Sequence, residues 1–226
     1  MQHEIKGGAF PVVIMALQPG ESVVTEAGGM SWMSPNMRMD TNMKGGLMGG
    51  LGRAFSGDSV FLNTYTAEGG AGMIACASSF PGTILALDLG PGQCIIAQKG
   101  AFLCGSSTVS LTVHLKRSLG VSMFGGEGFI MQKITGPGRV FLEIDGSLEK
   151  YVLAPGQTYM VNNGNLAAYS PNVTVSLETV KGIKNIFFGG EGLFHVRLTG
   201  PGEVYLQTLT AQNVARSIIP YIPKGG

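Results

Sequence analysis

The sequence predicts an all-β protein, and three observations carry that expectation. Short stretches alternate apolar and polar residues with a period of two. Glycine and proline punctuate them closely, with 36 and 11 of these residues in a chain of 226. One stretch near the C-terminus carries a helical pattern, and it is short. Alternation points to half-buried strands because successive side chains of a strand face opposite ways. The glycines then read as turns and bulges rather than as flexible linkers.

Taken in order, the elements justify that reading. Residues 1–20 hold an apolar run broken by Pro11 and ended by Pro19-Gly20. It is too short to span a bilayer and has no small-residue cleavage site, so neither a signal peptide nor a transit peptide is expected. Met37, Met39, Thr41 and Met43 then alternate with Asn36, Arg38, Asp40, Asn42 and Lys44. That pattern predicts a strand whose methionines form a buried packing face or an adaptable contact surface. Thioethers in this spacing can bind Cu(I), but packing accounts for the same residues. Next comes a glycine-rich segment, 45–52, flanked by Lys44 and Arg53. A phosphate loop would need Gly-Lys-Ser/Thr opening a helix, and that motif is missing. A structural loop or an oligomer contact is expected there, with Lys44 and Arg53 kept as weak candidates for anion binding.

Further along, Val109, Leu111, Val113 and Leu115 share one face of a strand, with Ser110, Thr112 and His114 on the other. Val173, Val175 and Leu177 repeat the pattern. The one helix is expected at 210–219, with Thr210 as N-cap and Pro220 as its stop.

A repeat organises these elements. Leu-x-Pro-Gly, followed by seven residues and a glycine, occurs at 17–28, 89–100 and 153–164. Leu89 recurs as Leu153, 64 residues on, and the same step carries Gly125-Gly126-Glu127-Gly128 onto Gly189-Gly190-Glu191-Gly192. It also carries Thr135-Gly136-Pro137-Gly138 onto Thr199-Gly200-Pro201-Gly202. The first copy is looser, with Gly49-Gly50-Leu51-Gly52 in place of the second motif. A single domain over 1–226 follows, built of units at 10–79, 80–143 and 144–207, with a C-terminal helix and tail at 208–226.

Composition limits the partners. Hydrophobic residues make up 44% of the chain and charged residues 13%, against about 25% charged in an ordinary soluble domain. Mean hydropathy is +0.25. So few charges cannot cover an ordinary surface, so a homo-oligomer is expected. Net charge is +1 and the isoelectric point about 7.7, which gives no ground for a nucleic-acid or anionic-membrane partner. No apolar run reaches transmembrane length. Three cysteines without a CxxC pair suit a reducing compartment, and a cytoplasmic location is expected.

Few side chains suggest chemistry. Glu127 and Glu191 recur at equivalent positions and could share a proton if they faced each other. A turn glutamate bonded to nearby amides explains them as well. His3, His114 and His195 form no ligand motif, so no metal or cofactor is expected. Cys76, Cys94 and Cys104 read as small buried residues rather than nucleophiles. No serine-nucleophile elbow occurs. The expectation is therefore a protein that is not an enzyme.

Several motifs together resemble a known family. They are the Leu-x-Pro-Gly elements, Gly28-Gly29-Met30-Ser31-Trp32-Met33, Ala101-Phe102-Leu103 and the two GEG…GPG elements. In order and spacing they resemble the altered-inheritance-of-mitochondria family, from about Phe10 to Leu209. In fold that family is similar to the tryptophan RNA-binding attenuation protein, with β-sandwich, jelly-roll-like units assembling into rings or trimers. The resemblance implies a trimeric all-β protein, cytosolic in bacteria, whereas eukaryotic members are mitochondrial. It implies no catalytic residues. RNA binding follows only by fold analogy, and the scattered basic residues do not support it. The expected function is a non-catalytic oligomeric scaffold or binding protein. The alternative is a small-molecule or anion-binding module at clefts between repeats, with Lys44, Arg53, Glu127 and Glu191 as weak candidates.

Overall fold

The computed structural model describes residues 1–42, 62–117, 129–179 and 194–222. Within them the protein is all-β, as its alternation predicts, with one short C-terminal α-helix. Every strand pairing is antiparallel.

Among the described residues the strands number nineteen and form four sheets. They are β1 (Gln2–Lys6), β2 (Val12–Leu17), β3 (Ser22–Glu26), β4 (Trp32–Met33), β5 (Met37–Asn42), β6 (Leu62–Ala67) and β7 (Gly72–Ala77). Then come β8 (Gly82–Leu89), β9 (Cys94–Gln98), β10 (Phe102–Ser106), β11 (Ser110–Arg117), β12 (Phe129–Thr135) and β13 (Gly138–Asp145). The last six are β14 (Leu148–Leu153), β15 (Thr158–Asn162), β16 (Leu166–Tyr169), β17 (Thr174–Thr179), β18 (Phe194–Thr199) and β19 (Gly202–Gln207). An outer sheet runs β1-β2-β7-β4. A first six-stranded sheet runs β5-β6-β3-β10-β13-β8, and a second runs β11-β12-β9-β16-β19-β14. A three-stranded sheet, β15-β18-β17, completes the set.

Three apolar cores lie between successive sheets. Val13, Met15, Leu17 and Ile74 of the outer sheet meet Val23, Leu103 and Phe141 of the first six-stranded sheet. That sheet's other face gives Val24, Phe102, Val140 and Leu142 to a second core with Ile95, Ala97 and Ile134. Ile96, Met131 and Val204 then meet Val161, Val196 and Leu198 of the three-stranded sheet in a third. The two six-stranded sheets are thus covered on both faces. This explains the apolar pairs Val23-Val24 and Ile95-Ile96, in which neighbouring side chains enter different cores. A sheet buried on both sides loses the alternation that marks a solvated one.

Where a face meets water, the alternation holds. On β11 Ser110, Thr112 and His114 are exposed while Leu111, Val113 and Leu115 are partly buried. The methionine strand divides between the two readings. Met37 is buried in the first core, but Met39 on the same face is 50% exposed. Among the described residues β5 is an edge strand paired only to β6, and beyond Met37 its residues run out past the core. Met43 lies outside the described residues.

The helix, α1, spans Ala211–Ile218, with Thr210 at its N-cap accepting a bond from the Asn213 amide. Pro220 follows in a short 3-10 turn, Ile219–Tyr221.

Two turns are built alike. Gly136 links β12 to β13 and donates its N–H to the Gln93 carbonyl at 2.9 Å, as Gly200 does to Gln157 between β18 and β19. A Cβ at Gly136 would stand 2.7 Å from the Gly90 and Leu89 carbonyl oxygens, and one at Gly200 2.5 Å from the Ala154 carbonyl. The obstacle is backbone, which cannot swing aside. Gly136→Val and Gly200→Val are therefore each expected to destabilise by about 1–3 kcal/mol, read as a lowered melting temperature. Unchanged melting of both would show that the chain relieves the contact.

Candidate functional site

Lys44, Arg53, Glu127 and Glu191, the ligand-binding candidates of the sequence, lie outside the described residues. So do the glycine-rich segment 45–52 and the GEG elements. The strand ends that bracket these segments are paired: Asn42 with Leu62, Arg117 with Phe129, and Thr179 with Phe194.

The polar groups that are described gather in small clusters. His3 on β1 reaches across to the first six-stranded sheet, its ring edge-on to Phe141 at 4.9 Å. Its Nδ1 lies 2.9 Å from an Arg139 Nη1. A guanidinium can only donate, so Nδ1 accepts and the ring proton belongs on Nε2. Burial lowers the His3 pKa first, and the Arg139 charge adds to it. Arg139 also grips Asp88 on β8 through two N–H groups, which lowers the Asp88 pKa. At the corresponding place on β19, Glu203 takes the opposite charge and pairs with Lys150 on β14 at 2.6 Å. On the three-stranded sheet Arg197 donates to Glu178, and the bond lowers that carboxyl's pKa. His114 is exposed and His195 half-buried. Among the described residues, no three His, Cys, Asp or Glu side chains cluster as metal ligands would.

One pair of carboxylates escaped the sequence reading. Glu143 and Asp145 are alternate residues of β13, so both point to one face. Ser78 Oγ, the Ser79 amide and Ser79 Oγ donate to the Glu143 carboxylate at 2.7–2.9 Å. Asp145 is pushed up to about 6, mainly by burial, with the charge of Glu143 adding to it. Its main chain is pinned by Gln207 Oε1, which accepts from the Asp145 amide at 3.1 Å, and by Leu209, which donates to its carbonyl. The signal in the sequence was the alternation Glu-Ile-Asp at a strand end. Nothing local in it shows that Asp145 would be the one whose pKa is raised.

All three cysteines are free. Cys76 and Cys104 are fully buried, as expected of small core residues. Cys94, at the start of β9, is only half-buried, which corrects the expectation for that one. Burial raises the Cys104 thiol pKa well above its usual value, the opposite of an activated thiolate.

The surface carries apolar side chains on strands. Trp32 is 48% exposed, Met160 47% and Val152 70%. Phe10 and several residues of the C-terminal segment are exposed as well.

Comparison with known proteins fits this architecture. The family model described as mitochondrial biogenesis AIM24 matches residues 3–209. The chain belongs to this family. It is 30% identical over 222 residues to an uncharacterized protein of Streptococcus pyogenes serotype M6, across 95% of this chain and 88% of that protein. A crystal structure of a Streptococcus pyogenes protein is similar at a TM-score of 0.81 and 28% identity. The similarity covers 98% of this chain and 99% of that one. The match to the AIM24 family spans all four sheets described above. No helix among the described residues is long and apolar enough to cross a membrane.

Two expectations follow from the geometry. A carboxyl whose folded pKa exceeds its unfolded value makes the fold less stable as pH rises between the two. For Asp145 that window runs from the ordinary value of 3.8 up to about 6. Asp145→Asn should therefore melt higher than the parent at pH 8, with the difference shrinking toward pH 4. A pH-independent difference would assign the effect to packing. In the folded protein a thiol reagent should label Cys94 first, with Cys76 and Cys104 reacting only on unfolding. Labelling of Cys104 at the rate of Cys94 would contradict its burial.

Proposed function

We propose that this AIM24-family protein is a non-catalytic homo-oligomeric scaffold, located in the cytoplasm, that presents a rigid β surface several times around a symmetric assembly. The carrying observation is the set of exposed apolar strand residues, Trp32, Val152 and Met160, in a chain with 13% charged residues. Gathered against a second protein surface, such groups would gain from burial. Charged groups tied into ion pairs on different sheets support a non-catalytic reading: Arg38 with Asp40, Arg139 with Asp88, Lys150 with Glu203 and Arg197 with Glu178.

The mechanism would be multivalent display, in which repeated weak contacts combine into avidity without any single strong site. The three-unit reading of 10–79, 80–143 and 144–207 supports it, because each unit then offers a related surface. Strands β8–β13 and β14–β19 fit that reading: β9 and β15, for instance, begin at Cys94 and Thr158, the same 64-residue step that relates the motifs. A trimer is the favoured assembly.

Light scattering at micromolar concentration should give a mass that is a multiple of the 23.6 kDa chain, threefold for a trimer. A stable species of single-chain mass would overturn the reading.

A further inference from the structure

Strand order carries a further inference. Shifting every strand of the first six-stranded sheet by six, from β5-β6-β3-β10-β13-β8, gives β11-β12-β9-β16-β19-β14, which is the second. Shifting once more, the first three positions give β17-β18-β15, the three-stranded sheet. Shifting the first sheet back by six, the last three positions give β4-β7-β2, the outer sheet without β1. The outer and three-stranded sheets are therefore complementary halves of the same six-stranded arrangement. What each lacks is the central junction. That junction is β3 against β10 in one complete sheet and β9 against β16 in the other. The missing one is β15 against β4, and among the described residues of one chain these two strands are edges.

The geometry points to a head-to-tail interface in which β15 of one copy pairs antiparallel with β4 of the next, completing a six-stranded sheet across the boundary. This rests on the homo-oligomeric reading above and names the surface that makes it.

The register follows from the junctions already formed. Cys104 lies opposite Thr25, and Gly105 opposite Val24. Ala168 lies opposite Ala97, and Tyr169 opposite Ile96. Trp32 and Met33 occupy the places of Cys104 and Gly105, since Trp32 pairs with Ala75 and Met33 with Ile74 as Cys104 and Gly105 pair with Phe141 and Val140. On the other side Val161 and Met160 stand 64 residues beyond Ala97 and Ile96. Trp32 of one copy is thus placed opposite Val161 of its neighbour, and Met33 opposite Met160.

Burial marks the same residues. Cys104 and Ala168 are 0% exposed, while Trp32 at their position is 48% exposed. Val24 and Ile96 are 5% and 2% exposed, while Met160 at theirs is 47% exposed. The faces agree too. Val161 already lines the third core and Met33 already packs on the first. Residues directly opposite in a ladder share a face. Trp32 would therefore extend the neighbour's third core, and Met160 would extend the first core of the copy it meets. The strand lengths are consistent: β4 has two residues where β10 has five and β16 four, as expected of a strand with one neighbour missing. Because the two edges differ, the contact is heterologous, and a ring closes only if the rotation between copies allows it.

The test is cysteine cross-linking of the full chain. Met33→Cys with Met160→Cys, and separately Trp32→Cys with Val161→Cys, are oxidised mildly and run without reductant beside the parent. Both pairs are made because only a non-hydrogen-bonded pair brings Cα atoms to about 4.5 Å. Covalent species larger than one chain are expected from at least one double variant. None beyond the parent's are expected from the single variants alone. Co-expressed Met33→Cys and Met160→Cys chains should give covalent dimers and nothing larger. A second variant, Trp32→Lys with Met160→Lys, places charge on side chains already half-exposed in the single chain. It should keep the parent's far-UV circular dichroism and fall to single-chain mass. An oligomer that yields no intermolecular cross-link at either pair, or that keeps its mass with both lysines, would overturn this interface while leaving the homo-oligomeric reading intact. A parent of single-chain mass would overturn both.

Discussion

The hydrogen-bonded junction of β3 with β10, matched by that of β9 with β16, is the constraint on which the rest of the structure depends. Each junction joins three strands from one stretch of chain to three from the next. Without it the sheets would be three-stranded, and their central polar groups would need other partners. With it, each six-stranded sheet becomes wide enough to be covered on both faces. The three apolar cores follow from that width.

Both junctions are flanked by an irregularity. The ladder of β10 on β13 slips between Phe102 and Cys104, and that of β16 on β19 slips between Leu166 and Ala168. A bulge places an extra residue on one strand and increases local twist. Here it lets Phe102 face the second core while Leu103 and Cys104 both join the first. Strict alternation would have split the latter two. The bulge therefore adjusts which face a side chain enters at the point where one stretch of chain hands the sheet to the next.

Much of the fold was legible in the residues. Alternation on β11 and β17, the paired glycines at Gly136 and Gly200, and the Thr210 cap each act over a few residues, so a local reading finds them. The shared sheets were not legible, because no local feature of Val23-Val24 says which strand some eighty positions on will lie beside it. The same limit explains Met39, whose exposure depends on where β5 leaves the core. It explains Asp145 too, whose main chain is held by Gln207 and Leu209, more than sixty positions on. At the candidate site, the four charged residues singled out by spacing fall outside the described residues. The groups that the fold does bring together, His3 with Arg139 and Asp88, come from three distant strands. They carry no common motif.

The shared sheet has a consequence for the order in which the protein can be made. Thr25 must find Cys104, and Ala97 must find Ala168. Synthesis proceeds from the N-terminus, so β3 leaves the ribosome well before its partner exists. Pairings of such long sequence separation are slow to form and leave strand edges exposed meanwhile. The N-terminal strands can complete their own hairpins early, but the first six-stranded sheet is finished only once Asp145 has emerged. The sequence thus encodes a waiting period as well as a shape. During it the free edge of β3, and Val24 on the face whose partners are still to come, need protection.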